Sequence, residues 1–437
     1  MRIVIVNRFF WPDHSATSQL ATDLAEHLAA SGHEAVALAS RQRYDDPASP
    51  LPGVEEHAGV TIRRLRTTRW GRYWLPGRAL DYATFYVSCA LALLRHAHAG
   101  SVILAKTDPP LISVVGAAVA RVRGARLVTW QQDVFPEVAA ALGMRWAAGP
   151  IGRILRGLRN RSLRAATLNV ALNERMAEHL AGEGVPAERI SVIANWCDEG
   201  IQSVAPDANP LRREWGLEGR FVIGYSGNLG RAHLSDAVAE LVRRTWDLPN
   251  VAWVFIGGGP RLDRVRDVVA QSGATNVQFR PYQPRERLSW SLSLPDLHLV
   301  SLDPACEGLI MPSKLYGILA AGRPTAFLGD GDGAVARTVR AAGVGLVLEA
   351  AAPGRWRDEL AAWQLDHAAA QGSGARARAL HRSDHNKAAS LNAWQARLAM
   401  TLEWPTAAPD RRPGEPEARR RPSAAKATRV GTTGPRV

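Results

Sequence analysis

Glu307, Ser313 and Lys314 lie close together in the stretch EGLIMPSKLYGILAAGRP, residues 307–324. Such a set could do two kinds of chemistry. A carboxylate in an apolar setting can accept hydrogen bonds from sugar hydroxyls. A serine and a lysine at a helix start add to the free N–H groups and partial positive charge already there, which suits a phosphate. Ser313 is expected to cap a helix from Lys314 to Ala321, with Gly322 as its stop and Pro324 beyond. The same residues also suit an ordinary capped helix with a solvated lysine and a loop carboxylate.

Other stretches carry residues at the ends of apolar runs. GYSGNLGRAH (224–233) would let backbone approach a phosphate or sugar through Gly227 and Asn228, with Arg231 placed to meet a diphosphate. FIGGGP (255–260) offers Gly258 in the same way. The 224–233 stretch lacks the spacing of a dinucleotide-binding fingerprint, and 255–260 also suits a plain turn. RFFWPDHSATSQ supplies Trp11, His14 and Thr17 as candidates to face a cleft. WQQDVFPE (130–137) supplies Asp133, which could contact an acceptor hydroxyl or cap a helix. GDGDG (329–333) reads as a Gly/Asp turn, since no third metal ligand accompanies its acids.

These residues need rigid strands to hold them. RIVIVN, EAVALAS, VTIRRLR, SVILAK, ARLVTW, TLNVAL and ISVIAN read as buried strands, and between the first two Leu20, Leu24 and Leu28 mark a helix. The pattern is that of a parallel sheet, and RFVIGYSG, VAWVFIGGG, VQFRPY, LHLVSL, PTAFLGD and VGLVLE repeat it. The expected fold class is α/β, with two Rossmann-like doubly wound domains facing a cleft. The expected boundaries are 1–197 for the first domain, 198–219 for a linker, 220–383 for the second domain, 384–403 for a closing helix and 404–437 for a disordered basic tail. Strand ends facing the cleft are the expected binding sites.

The 437 residues carry a net charge of +13, which favours an anionic partner. Cys89, Cys197 and Cys306 are scattered, so neither a zinc site nor a disulfide framework is expected, and a cytoplasmic location fits. The start reads as a first strand rather than a leader, and no apolar run is long enough to span a bilayer. The region 63–78 interleaves Arg63, Arg64, Arg66, Arg69, Arg72 and Arg78 with Trp70, Tyr73 and Trp74, which suits an anionic membrane surface. The alternative is a core helix with a basic approach loop. No basic stripe outside this region argues for nucleic acid.

Taken in order, NRFFWPDHSATSQLATDLAEHLAASGHE, QQDVFPE, GYSGNLGRAH, FIGGGP and EGLIMPSKLYGILAAGRP resemble the family-four glycosyltransferases of the GT-B fold, over about residues 1–400. The likeness is to the bacterial subgroup of O-antigen, capsule and exopolysaccharide assembly. It implies retaining transfer of a sugar from a nucleotide-diphosphate donor, UDP-linked, bound as substrate with no cofactor and no metal. It implies donor contacts from Gly227, Asn228, Arg231, Gly258, Ser313 and Lys314, an acceptor side at Trp11, His14 and Thr17, and catalytic roles for Glu307 and Asp133. The expected acceptor is a lipid-linked saccharide at the inner membrane face, with the protein peripheral there. Two positions depart from the family. Where many members carry a second glutamate after Glu307, this chain has Leu315 or Gly317, depending on alignment. Gln132 stands where a histidine usually precedes Asp133. A nucleotide-sugar epimerase and a catalytically silent nucleotide-sugar-binding subunit therefore stay open.

Overall fold

The fold comes from a computed structural model of the chain, which describes residues 1–43, 49–70 and 75–403. The first sheet contains β1 (Arg2–Val6), β2 (Glu34–Ser40), β3 (Val54–His57), β4 (Val60–Leu65), β5 (Val102–Lys106), β6 (Arg126–Trp130), β7 (Leu168–Ala171) and β8 (Ile190–Val192). Their order is β3-β4-β2-β1-β5-β6-β7-β8. All neighbours are parallel except β3, which runs antiparallel to β4 at the edge. β1 sits inside because both of its faces are apolar. Ile3 and Ile5 pack toward Leu20, Leu24 and Leu28 of the helix Ala16–Ala30. Val4 and Val6 pack on the other side with Phe85, Cys89 and Leu93 of the helix Leu75–His96.

The second sheet contains β9 (Phe221–Asn228), β10 (Val251–Gly258), β11 (Val277–Arg280), β12 (Leu297–Ser301), β13 (Thr325–Gly329) and β14 (Gly345–Glu349), in the order β11-β10-β9-β12-β13-β14. In both sheets the chain order reverses beside the first strand of the domain, β1 and β9. Open sheets of this kind bind ligands at the carboxyl ends of the strands flanking such a switch.

The connection between domains is shorter than the sequence suggested. Trp196 belongs to the first core. Leu211, Trp215 and Leu217, expected in the linker, pack against Val222 and Val254 of the second domain. After the second domain the chain returns. The helix Lys387–Glu403 lays Trp394 against Trp130, with ring centroids 4.9 Å apart, and Trp130 stacks on Trp196 at 5.8 Å. Lys387 pairs with Asp23 at 2.9 Å, and His27 shares a hydrogen bond of 2.9 Å with Gln395. The expected closing helix is thus an integral part of the first domain's core.

Candidate functional site

The loop after β1 places Trp11 and His14 on one wall of a cavity of about 380 Å³ between the domains. Lys387 lies on the same side, paired with Asp23, and Arg285 and Ser313 reach the cavity from the second domain. The Trp11 amide donates to Thr22 Oγ1 at 3.2 Å. Its indole stacks on His57, centroids 3.9 Å apart and planes 14° from parallel, and His57 Nε2 lies 3.0 Å from Glu26. This leaves a flat ring platform edged by carboxylates, a surface suited to sugar faces and hydroxyls. Thr17, predicted beside these two, does not line the cavity. Its carbonyl instead accepts a hydrogen bond of 3.0 Å from Lys106 Nζ. Lys106 is fully buried with its ammonium 3.8 Å from the Trp130 ring centroid. Burial holds its pKa well below that of an ordinary lysine, against the pull of Asp108 and Asp23. Nothing in VILAK distinguishes this lysine from a solvated one at a strand end, and sequence reading missed it.

The second domain contributes Lys314. The helix Lys314–Ala320 buries Leu315, Ile318 and Leu319 as expected, and Gly322 ends it with φ +65°. Ser313 departs from expectation. Its backbone is already helical, its hydroxyl makes no capping bond, and the residue lines the cavity instead. Lys314 turns toward β9, donates to the Tyr225 hydroxyl and sits 3.7 Å from the centroid of that ring. Burial pushes its pKa down to about 7. Burial also lowers His233 to about 4, with the Lys314 charge adding to the effect, so His233 is neutral as it meets the Ser301 carbonyl at 2.5 Å.

The glycines separate into two roles. Strands β9 and β10 follow the expected runs closely and extend through the glycines, pairing Gly227 with Gly257 and Asn228 with Gly258. A side chain on Gly257 would meet the Gly227 carbonyl at 2.5 Å, so that glycine serves strand packing. Gly227, at φ +111°, has only the Lys314 side chain nearby, at 4.0 Å. Gly227 and Lys314 therefore border one space at the end of β9. Arg231 is exposed, with no ion pair or side-chain hydrogen bond among the described residues.

Asp133 and Glu307 flank a contact between the domains. The Val134 amide donates to the Leu309 carbonyl at 2.8 Å, so the residue after Asp133 and the segment after Glu307 are tied together. Both acids act on the Cys306 thiol between them: burial first, then Asp303, Asp133 and Glu307, push it up to about 11. Glu307 is not a free loop carboxylate. Its Oε1 accepts 2.8 Å from the Ala334 amide at the start of the helix Ala334–Ala342. Desolvation nevertheless raises its pKa. Asp133 faces solvent, yet dense surroundings push its pKa up to about 6, an effect that its open side limits. Asp133 does not cap the following helix Glu137–Ala141. Gln132 exchanges two hydrogen bonds with Asn195, at 3.2 and 2.8 Å.

Among the described residues, Glu137, His179 and Glu183 form the group close enough to hold a metal. Arg159 contacts Glu137 at 2.5 Å and Arg156 contacts it at 3.4 Å, so the carboxylate charge is already met by guanidinium groups. The GDGDG segment is a turn, with the Asp332 amide donating to Asp330 at 3.0 Å. The basic patch at 63–78 changes. The Arg64 side chain is inaccessible and pairs with Glu55 at 2.6 Å, so it cannot meet a membrane. Arg72, Tyr73 and Trp74 lie outside the described residues, as does the tail 404–437.

Residues 16–196 match the glycosyl transferase 4-like domain. The first domain holds this matched span. It carries Trp11 on the loop just before the matched span and Asp133 within it. WcaI of Escherichia coli K12, a glycosyl transferase named for colanic acid biosynthesis, is 27% identical over 335 residues, covering 74% of this chain and 82% of that protein. A GDP-mannose-dependent alpha-mannosyltransferase of Mycobacterium tuberculosis is 28% identical over 269 residues, covering 61% of this chain and 64% of its own. Among solved structures, sucrose-phosphate synthase from Thermosynechococcus elongatus superposes with a TM-score of 0.71 at 14% identity, over 92% of this chain and 100% of that one. Anabaena HepE in complex with UDP-glucose superposes with a TM-score of 0.67 at 14% identity, also over 92% of this chain and 100% of its own. Two parallel-sheet domains joined in this way are the GT-B fold. This chain shares that fold, and within it residues 16–196 are similar to the glycosyl transferase 4-like domain.

Proposed function

We propose that this chain moves a sugar, with retention of anomeric configuration, from a UDP-linked donor to a lipid-linked saccharide in cell-surface polysaccharide synthesis. The observation that carries the reading is Lys314, held in protein at the end of β9 beside the open Gly227 turn. An ammonium held near neutrality gains most when a diphosphate arrives beside it, because the pair then compensates the desolvation that burial imposes. Arg231 would supply a second, mobile charge. The names of WcaI and of HepE with its UDP-glucose point the same way.

In this reading the Trp11–His57 platform takes the acceptor saccharide. The acceptor oxygen bonds to the anomeric carbon on the face the donor leaves. The electrons of the breaking carbon–oxygen bond depart with the nucleoside diphosphate, and the acceptor's proton passes to the leaving phosphate oxygen. Asp133 and Glu307 orient hydroxyls, and the cationic side chains carry the diphosphate charge without a metal. The protein works at the inner face of the cell membrane, where such an acceptor is anchored.

The test is incubation of the purified protein with UDP- and GDP-sugars, following release of the free nucleotide. Slow hydrolysis of one donor names its base and excludes a silent binder. An altered sugar still linked to nucleotide would replace this reading with epimerisation.

A further inference from the structure

The helix Pro150–Ala165 is amphipathic the wrong way round. Its inward face holds Gly152, Arg159, Asn160, Ser162 and Leu163. Its outward face holds Ile151, Ile154 and Leu158, which are 58%, 64% and 46% exposed. The polar inside has partners: Arg159 reaches Glu137, Asn160 reaches Glu183, and Ser162 meets Ser113 at 2.8 Å. The apolar outside has none among the described residues.

This stripe has neighbours. The helix Ile112–Arg123 packs beside Pro150–Ala165 and exposes Val122. The helix Leu75–His96 packs beside Ile112–Arg123 and exposes Val87, Leu91 and Leu94. The short helix Arg145–Ala148 adds Trp146. A surface with this many outward aliphatic side chains on adjoining helices marks an interaction site rather than scatter.

Charge selects the occupant. These four helices contain ten arginines and one acid, Asp81, which is buried. Arg153, Arg161 and Arg164 border the Ile151–Leu158 stripe, and Arg121 and Arg123 flank Val122. Two copies of such a face would oppose arginine to arginine. A nucleic acid would use the charge but leave the aliphatic stripe in water. An anionic bilayer takes both, burying the aliphatic groups at the acyl boundary while the guanidinium groups meet headgroups.

We infer that this four-helix face of the first domain is the lipid-docking surface, a site apart from the 63–78 segment. The inference extends the membrane reading above by naming the surface that meets the lipid, and it is independent of the donor chemistry.

The experiment is co-sedimentation of the full chain with phosphatidylcholine vesicles, with and without phosphatidylglycerol. Three variants are compared with the parent: Ile151→Ser with Ile154→Ser and Leu158→Ser; Arg69→Ser with Trp70→Ser; and serine at Arg411, Arg412, Arg419, Arg420 and Arg421. The parent should bind the anionic vesicles, and salt should weaken it. The triple variant should partition at least about tenfold more weakly, since it removes three side chains that enter the apolar layer. The other two should stay near the parent. UDP binding measured by calorimetry checks that the triple variant is folded. Parent-like vesicle binding by the triple variant overturns the inference, as does loss confined to the tail variant. So does a concentration-dependent dimer of the parent that the triple variant abolishes, because the face would then join two copies. If the parent binds vesicles as expected but no UDP- or GDP-sugar is bound, the lipid surface stands and the donor reading fails.

Discussion

The Lys314 ammonium lies over the Tyr225 ring, 3.7 Å from its centroid, and donates to that residue's hydroxyl. An aromatic face and a neutral hydroxyl compensate a desolvated charge only in part, which is why burial brings its pKa to about 7. Two neighbouring imidazoles, His233 and His298, are held neutral mainly by their own burial, so neither competes as a nearby cation.

Lys314→Ala should weaken nucleoside-diphosphate binding by about ten- to a hundredfold, the value of one charge-assisted contact. The fold should survive, since the change removes a buried cation that has no anionic partner among the described residues. Calorimetry on both proteins checks this, and unchanged affinity would remove Lys314 from the site.

Donor binding should also take up a proton. A bound diphosphate raises the Lys314 pKa above its value of about 7 in the free protein. Affinity is then fully present below pH 7 and falls as pH rises from there toward the pKa of the complex. Binding enthalpies at pH 8 should vary with the ionisation enthalpy of the buffer, and in Lys314→Ala that variation should vanish.

Glu307→Gln keeps an acceptor for the Ala334 amide and loses a negative charge at a helix start, costing about 0.3–1 kcal/mol of stability. Transfer should fall far more than that. Glu307→Ala would in addition leave the Ala334 amide without its cap, at about 1 kcal/mol. If Glu307→Gln transfers like the parent, the residue serves the helix alone.

Trp11→Ala should raise KM for the acceptor about two- to tenfold, the range of one aromatic stacking contact, and leave donor affinity alone. Steady-state kinetics with each substrate varied in turn separates the two. A rise in donor KM of the same size would mean that the platform belongs to both substrates.

Transfer should continue in EDTA. Glu137, His179 and Glu183 are the described residues nearest to a metal set, and Arg156 and Arg159 already compensate their charge. Loss of activity on chelation, restored by Mg²⁺ or Mn²⁺, would contradict transfer carried by Lys314 and Arg231.

Most strands were legible because a strand buried on both faces is a continuous apolar run, as in RIVIV and VAWVFI. The strand Val54–His57 was not, because VEEH at a sheet edge alternates between partial and full exposure and has no apolar run to read. The places of Trp11 and His14 on the loop after the first strand, and of Lys314 at a helix start, were legible from the elements around them. The partner of Lys314 was not: Tyr225 lies 89 positions away, and only the crossover of the sheet brings the two together. The Pro150–Ala165 face was missed for a different reason. Apolar periodicity says which residues share a side of a helix, and core burial is the ordinary use of that side. Here Arg159, Asn160 and Ser162 take the inner position, and only the packed structure reveals the inversion.

The indole of Trp394 against Trp130 has a consequence for how the chain is made. Residue 130 and residue 394 belong to one core, but the whole second sheet is synthesised between them. On the ribosome the first domain must wait, with that surface of its core uncovered, until the second has emerged. Only then can the last described helix close it. A defect that slows folding of the second domain would therefore surface as an unfinished first one, and shortening the chain to its first 200 residues would yield a piece lacking part of its own interior.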